Sequence, residues 1–143
     1  MATLSQLRMD FTSLVSKLIA HAESLGYRMS LGEGTRTDEQ AVINSLGQQG
    51  REAVAKLIYK DFPRLSAALV NNGRNDGVVN SVHLVGLAVD MNLFKDGVFL
   101  TSSEDHRVLG EWWKAQHPLA RWGGDFRPKP DGNHYSFEYN GVK

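Results

Sequence analysis

A chain of 143 residues, 41% apolar and 22% charged, has the length and composition of one ordinary globular domain and leaves no room for a second folded module. Sixteen basic residues balance sixteen acidic ones, which excludes the global field that would hold the protein on nucleic acid or anionic lipid. Cysteine is absent, so disulfides and thiolate metal sites are excluded, and a transition metal would have to rest on imidazole and carboxylate.

The first residues, Met1 to Gln6, lack the basic start and apolar run of a secretory signal, and no stretch is long and apolar enough to span a bilayer. Synthesis in the cytoplasm, without membrane insertion, is the expectation. Apolar residues at Leu7, Phe11, Leu14, Val15, Leu18, Ile19 and Ala22 have the spacing of an amphipathic helix from Ser5 to Leu25, stopped at Gly26. Tyr27, Met29 and Leu31 alternate with Arg28 and Ser30, predicting a short half-buried strand that runs into the loop Gly32-Glu33-Gly34, with Arg36 just beyond. Thr37 starts a short helix with Ala41, Val42 and Leu46 inside, broken at Gly47. Helices are predicted over Glu52–Tyr59 and Pro63–Val70, followed by a turn at Asn71-Asn72-Gly73 and a loop at Gly73–Gly77 that could border a cleft.

Strands over Ala88–Leu93 and Val98–Leu100 flank Lys95-Asp96-Gly97, a tight hairpin signal. Ser103 is expected to cap a helix reaching Gln116, with Val108, Leu109, Trp112 and Trp113 inward, although two adjacent tryptophans cannot both point fully inside. Leu119–Trp122 and Tyr135–Glu138 read as two strands joined by a polar loop. The sum is a single α+β domain over residues 1–143, with helices packed on a small, mostly antiparallel sheet.

Of the five histidines, only His83 and His134 have glycine-rich loops and carboxylates close by in sequence. His21, His106 and His117 fall on helix faces or ends and read as non-catalytic. In the strand after His83, Ala88, Asp90 and Asn92 share one face. Asp90 is a charged residue in an apolar strand and needs a cation or several hydrogen bonds. Two imidazoles and a carboxylate with an open fourth position form a recognised catalytic zinc arrangement. Each feature alone also fits hydrogen bonding or solvation, and Asp131 alone could simply begin an Asp-Gly turn.

The run Ser81-Val82-His83-Leu84-Val85-Gly86-Leu87-Ala88-Val89-Asp90, together with Asp131 three residues before His134 and the segment Trp122-Gly123-Gly124, resembles the M15 peptidases. These are LAS-type zinc enzymes that share the fold of D-Ala-D-Ala carboxypeptidases, and the resemblance is strongest to phage endolysins that cleave the L-alanyl-D-glutamate bond of peptidoglycan. It covers about Tyr27 to Glu138. The resemblance implies Zn²⁺ held by His83, Asp90 and His134, Asp131 as catalytic carboxylate, and Arg36 as a substrate-binding arginine that also steadies the oxyanion. Ser81 and Trp122 join Arg36 as candidate substrate contacts, although Trp122-Gly123-Gly124 fits a structural strand end equally well, and Asp125 either orients a ligand histidine or is simply exposed. Many carboxypeptidase relatives carry glutamate where this chain has Asp131; aspartate fits the endolysin branch. The implied partner is the peptidoglycan stem peptide, met by a monomer without a wall-binding module and released by a separate membrane-lesion protein. A D-alanyl-D-alanine carboxypeptidase or dipeptidase, and a zinc-dependent binding module without hydrolysis, stay open as alternatives.

Overall fold

The computed structural model describes residues 1–71 and 81–143; the Gly73–Gly77 loop and most of the turn before it lie outside them. The chain forms an α+β fold divided into two compact units, residues 1–35 with 82–143, and residues 36–81.

The first unit opens with α1, Leu4–Ser24, which buries Leu7, Phe11, Leu14, Leu18 and Ala22 on one stripe. The helix begins one residue earlier than its apolar pattern suggests because Thr3 and Gln6 form a reciprocal cap: Thr3 Oγ1 accepts from the Gln6 N–H at 3.2 Å, and Gln6 Oε1 accepts from the Thr3 N–H at 2.8 Å. Gly26, at φ +82°, turns the chain out of the helix into β1, Tyr27–Leu31.

The sheet is antiparallel throughout. Its main path runs β1, β2 (Ala88–Lys95), β5 (His134–Phe137), β4 (Ala120–Trp122), and β3 (Val98–Leu100) pairs with the far end of β2. Asp96 and Gly97, both at positive φ, make the β2–β3 hairpin turn that the Asp-Gly dipeptide announces. Val89, Met91 and Leu93 point from β2 into the core, and Asp90 and Asn92 lie on the opposite, partly accessible face.

Between β3 and β4 comes a short 3₁₀ turn, Ser103–His106, followed by α5, Arg107–Gln116. Ser102 rather than Ser103 is the cap, its Oγ accepting from the Glu104 N–H at 3.1 Å, which frees Ser103 for another task. Helix α5 buries Leu109, Gly110 and Trp113, so Val108, one residue around the helix, is turned out to solvent. Trp113 is fully buried against Phe11, Tyr135 and Phe137 with ring centroids 5.7–5.9 Å away, while Trp112 stacks on His21 at 4.5 Å. These aromatics and the α1 stripe close the core beneath the sheet.

The second unit holds α2 (Asp38–Ser45), α3 (Gly47–Ile58) and α4 (Pro63–Asn71). Gly47, at φ +66°, joins α2 directly to α3, so the third helix starts five residues before the predicted Glu52. Ala41 is buried, but Val42 and Leu46 are exposed. Buried Arg51 donates from Nε to the Leu69 carbonyl at 3.1 Å, and Ser66 Oγ donates to the Ala55 carbonyl at 2.9 Å, tying α3 to α4. No described helix is long and apolar enough to cross a membrane.

Candidate metal centre

Asp90 is placed by the middle of β2 and His134 by the first position of β5, and the strand register sets the two directly opposite each other. The Asp90 N–H goes instead to the Glu33 carbonyl at 2.6 Å, and its carbonyl accepts from the Gly32 N–H at 2.7 Å. Asp90 and His134 therefore form a non-hydrogen-bonded pair, the kind in which antiparallel strands bring side chains closest. Gly32 is required for this approach, because a Cβ there would lie 2.9 Å from the Asp90 carbonyl oxygen.

His83 reaches the same point from a 3₁₀ turn, Val82–Val85, just ahead of β2. Its Nδ1 lies 2.6 Å from the Gly34 carbonyl. A carbonyl only accepts, so Nδ1 carries the proton and Nε2 presents its lone pair inward. The Gly34 partner was hidden in the sequence; the glycine-rich loop after β1 was its only trace.

His83 Nε2, His134 Nδ1 and Asp90 Oδ1 make a nearly equilateral triangle, with edges of 3.3, 3.2 and 3.4 Å. Both imidazoles are buried and the carboxylate side chain is 13% exposed. Burial pushes the Asp90 carboxyl up, but hydrogen bonds and charge attraction from His134 and His83 outweigh it and hold the group well below the usual carboxylate range.

With both rings neutral, electron-rich atoms face one another with at most one proton, on His134, to share among them. The remaining ring nitrogen, His134 Nε2, is buried without a hydrogen-bond partner among the described residues and is not one of the triangle atoms, so it is His134 Nδ1, His83 Nε2 and Asp90 Oδ1 alone that call for a cation. A cation resolves the arrangement. Zinc with ligands at 2.0–2.1 Å has tetrahedral edges of about 3.3–3.4 Å, so the triangle matches one face of such a site and leaves the fourth vertex open. This is the one cluster of three or more candidate donors among the described residues.

Asp131 and His134 are the two ends of a single reverse turn, closed by the His134 N–H donating to the Asp131 carbonyl at 3.1 Å. The three-residue spacing is therefore a turn, which places His134 at the start of β5 and Asp131 just before it. Asp131 is exposed and lines a cleft of about 410 Å³ with Asn92, Ser102, Ser103, His106 and Asn133 among its walls.

The other candidates sort themselves by position. Trp122 is 1% exposed and its indole N–H donates to the Gly132 carbonyl at 2.7 Å, so it faces the protein interior rather than a substrate. Asp125 is a surface partner of Lys114, with Oδ2 at 2.6 Å from Nζ, and does not orient a ligand. His106 is buried and shares a 2.9 Å hydrogen bond with the Tyr135 hydroxyl; burial lowers its pKa, Asp105 opposing, and burial raises that of Tyr135. Arg36 and Ser81 fall at the two ends of the second unit, Arg36 buried and Ser81 half-buried.

Residues 74–137 match a peptidase M15 family model described as D-alanyl-D-alanine carboxypeptidase; all three triangle residues and Asp131 lie inside that segment and Arg36 lies outside it. No curated protein matches in sequence. Among solved structures, the L-Ala D-Glu endopeptidase ChiX of Serratia marcescens is 18% identical at a TM-score of 0.50, over 89% of this chain and 79% of that one. A Zn(II) complex of a mutant of the vancomycin-resistance D,D-pentapeptidase VanY, from a VanB-type cassette, is 22% identical at 0.49, over 90% and 70%. VanYB in complex with D-Alanine-D-Alanine is 21% identical at 0.47, over 90% and 69%. The segment that is similar to the M15 peptidase family, residues 74–137, carries the donor triangle of zinc dimensions and Asp131 on an antiparallel α+β fold.

Proposed function

We propose that this chain hydrolyses the L-alanyl-D-glutamate bond of the peptidoglycan stem peptide, serving as a phage endolysin, with residues 1–143 acting as one monomeric peptidase domain. His83, Asp90 and His134 hold the zinc and Asp131 is the catalytic base. The observation that carries the assignment is the turn linking His134, a member of the donor triangle, to Asp131, an accessible carboxylate on the cleft.

When bound, zinc supplies Lewis acidity that acidifies water and polarises a carbonyl. The protein supplies the rest. His83 is held in the ligating tautomer by Gly34, and Asp90 stays ionised between the two imidazoles. Asp131 accepts the proton of the attacking water and returns it to the departing amine. Arg36 holds the substrate and steadies the oxyanion; Ser81 is a further substrate contact.

Support for the endopeptidase reading is the aspartate at position 131, where many carboxypeptidase relatives carry glutamate. The family model's description favours a second reading, a D-alanyl-D-alanine carboxypeptidase. Incubating the protein with peptidoglycan, with and without chelator, and identifying the new termini by mass spectrometry separates the two. A new glutamate amine is the expected product; released D-alanine overturns the endopeptidase reading, and chelator-insensitive cleavage overturns the metal assignment. Lysis by the protein expressed inside cells only after the inner membrane is permeabilised is the result expected of an endolysin released by a separate membrane-lesion protein.

A further inference from the structure

The turn that carries Asp131 and His134 is gripped from outside. The Gly132 N–H donates to Ser103 Oγ at 2.9 Å, and the Gly132 carbonyl accepts from the Trp122 indole at 2.7 Å. The Asp131 N–H donates to the Gly123 carbonyl at 2.8 Å. Both backbone polar groups of the residue next to Asp131 are thus fixed by side chains from elsewhere in the chain, one 29 residues and one 10 residues away.

Three glycines make the grip tight. A Cβ at Gly123 would lie 2.1 Å from the Asp131 carbonyl oxygen, and one at Gly132 would lie 2.4 Å from the Ser103 Cα. A Cβ at Gly124 would lie 2.2 Å from the Trp122 ring. The Trp122-Gly123-Gly124 segment is therefore a cradle for the turn: the indole holds its carbonyl, the first glycine lets the backbones touch, and the second leaves room for the ring.

We propose that Trp122 and Ser103 are positioning residues that grip Gly132 and so fix Asp131 relative to the His83–Asp90–His134 triangle. The inference rests on Asp131 being the base. Misplacing a reacting group by about 1 Å can cost on the order of a hundredfold in rate, whereas the three donor side chains touch neither Trp122 nor Ser103 through any hydrogen bond described above. The grip should govern turnover far more than metal affinity.

The test uses Trp122→Phe, which keeps a ring in the slot but removes the N–H, and Ser103→Ala, which removes the acceptor without touching the core. Zinc affinity, kcat and KM on purified peptidoglycan fragments, and amide hydrogen exchange at Gly132 in the zinc-free protein are measured for each. The expected result is a roughly tenfold or greater loss in kcat, with KM and zinc affinity changed less than threefold and Gly132 exchange accelerated at least tenfold. Unchanged kcat in Ser103→Ala, or a loss of zinc affinity that parallels the loss of kcat in both variants, overturns the proposal. Should the wild-type protein cleave no fragment at all, the functional reading fails on its own. Unaltered Gly132 exchange in Ser103→Ala then overturns the grip independently.

Discussion

Asp90 Oδ1 and His134 Nδ1 stand 3.2 Å apart because their strands pair in a register that puts the two residues directly opposite. A metal bound there joins β2 to β5, so zinc should stabilise the native state by mass action. With free zinc at a hundred times its dissociation constant, the gain is about 2.7 kcal/mol. Thermal unfolding with and without chelator should show it. His83→Ala and Asp90→Ala should each abolish the zinc-dependent shift; a shift that persists in either variant removes that residue from the ligand set.

Asp131 lies outside the triangle and can be removed without dismantling it. Asp131→Ala should bind zinc stoichiometrically yet lose turnover by about 10²–10⁴-fold, the range of a general acid–base contribution. Equilibrium dialysis beside a peptidoglycan assay decides the matter, and full activity in this variant would rule out the role.

Gly110 meets Trp122 across α5, where an added Cβ would lie 2.1 Å from the indole Cδ2. Gly110→Ala improves helix propensity at an interior position, by roughly 1 kcal/mol, yet should still destabilise the protein. Forcing a methyl into a packed core costs typically 1–3 kcal/mol, and ring displacement of this size belongs at the upper end. Chemical denaturation gives the sign directly.

His106 makes stability depend on pH. Burial lowers its pKa, only partly countered by Asp105, so the unfolded chain takes up the proton first as the pH drops. Stability is therefore unaffected by this group above its ordinary value of 6.5 and falls as the pH goes below it, levelling out beneath the folded value. His106→Gln should flatten that part of the profile relative to wild type. An identical slope between pH 7 and 5, measured by urea unfolding, would show that His106 does not carry it.

How much of this was legible in the residues follows from the range of the forces involved. Helix α1, the Asp96-Gly97 hairpin and the face shared by Asp90 and Asn92 are local, and apolar spacing or turn chemistry revealed them. The donor set was legible because it sits in two short motifs. Contacts that join distant segments left no local signal: the Gly34 carbonyl behind His83 and the Ser103 hydroxyl on Gly132 both depend on tertiary approach. Trp122 shows the difference most clearly. An aromatic beside two glycines reads equally as a cleft wall or a strand end, and only its burial and the 2.7 Å bond to Gly132 separate them.

The triangle also has a consequence for how the chain is held together. Its donors lie 44 and 51 residues apart along the sequence, in a protein with no cysteine. An ion bridging them is a cross-link that closes long loops, as a disulfide would, and by the chain-entropy relation a covalent link over such a loop contributes about 4 kcal/mol. Unlike a disulfide, this one is indifferent to reductant, so the same reagent that stops catalysis also removes the clasp between β2 and β5 and leaves their backbone pairing to hold alone.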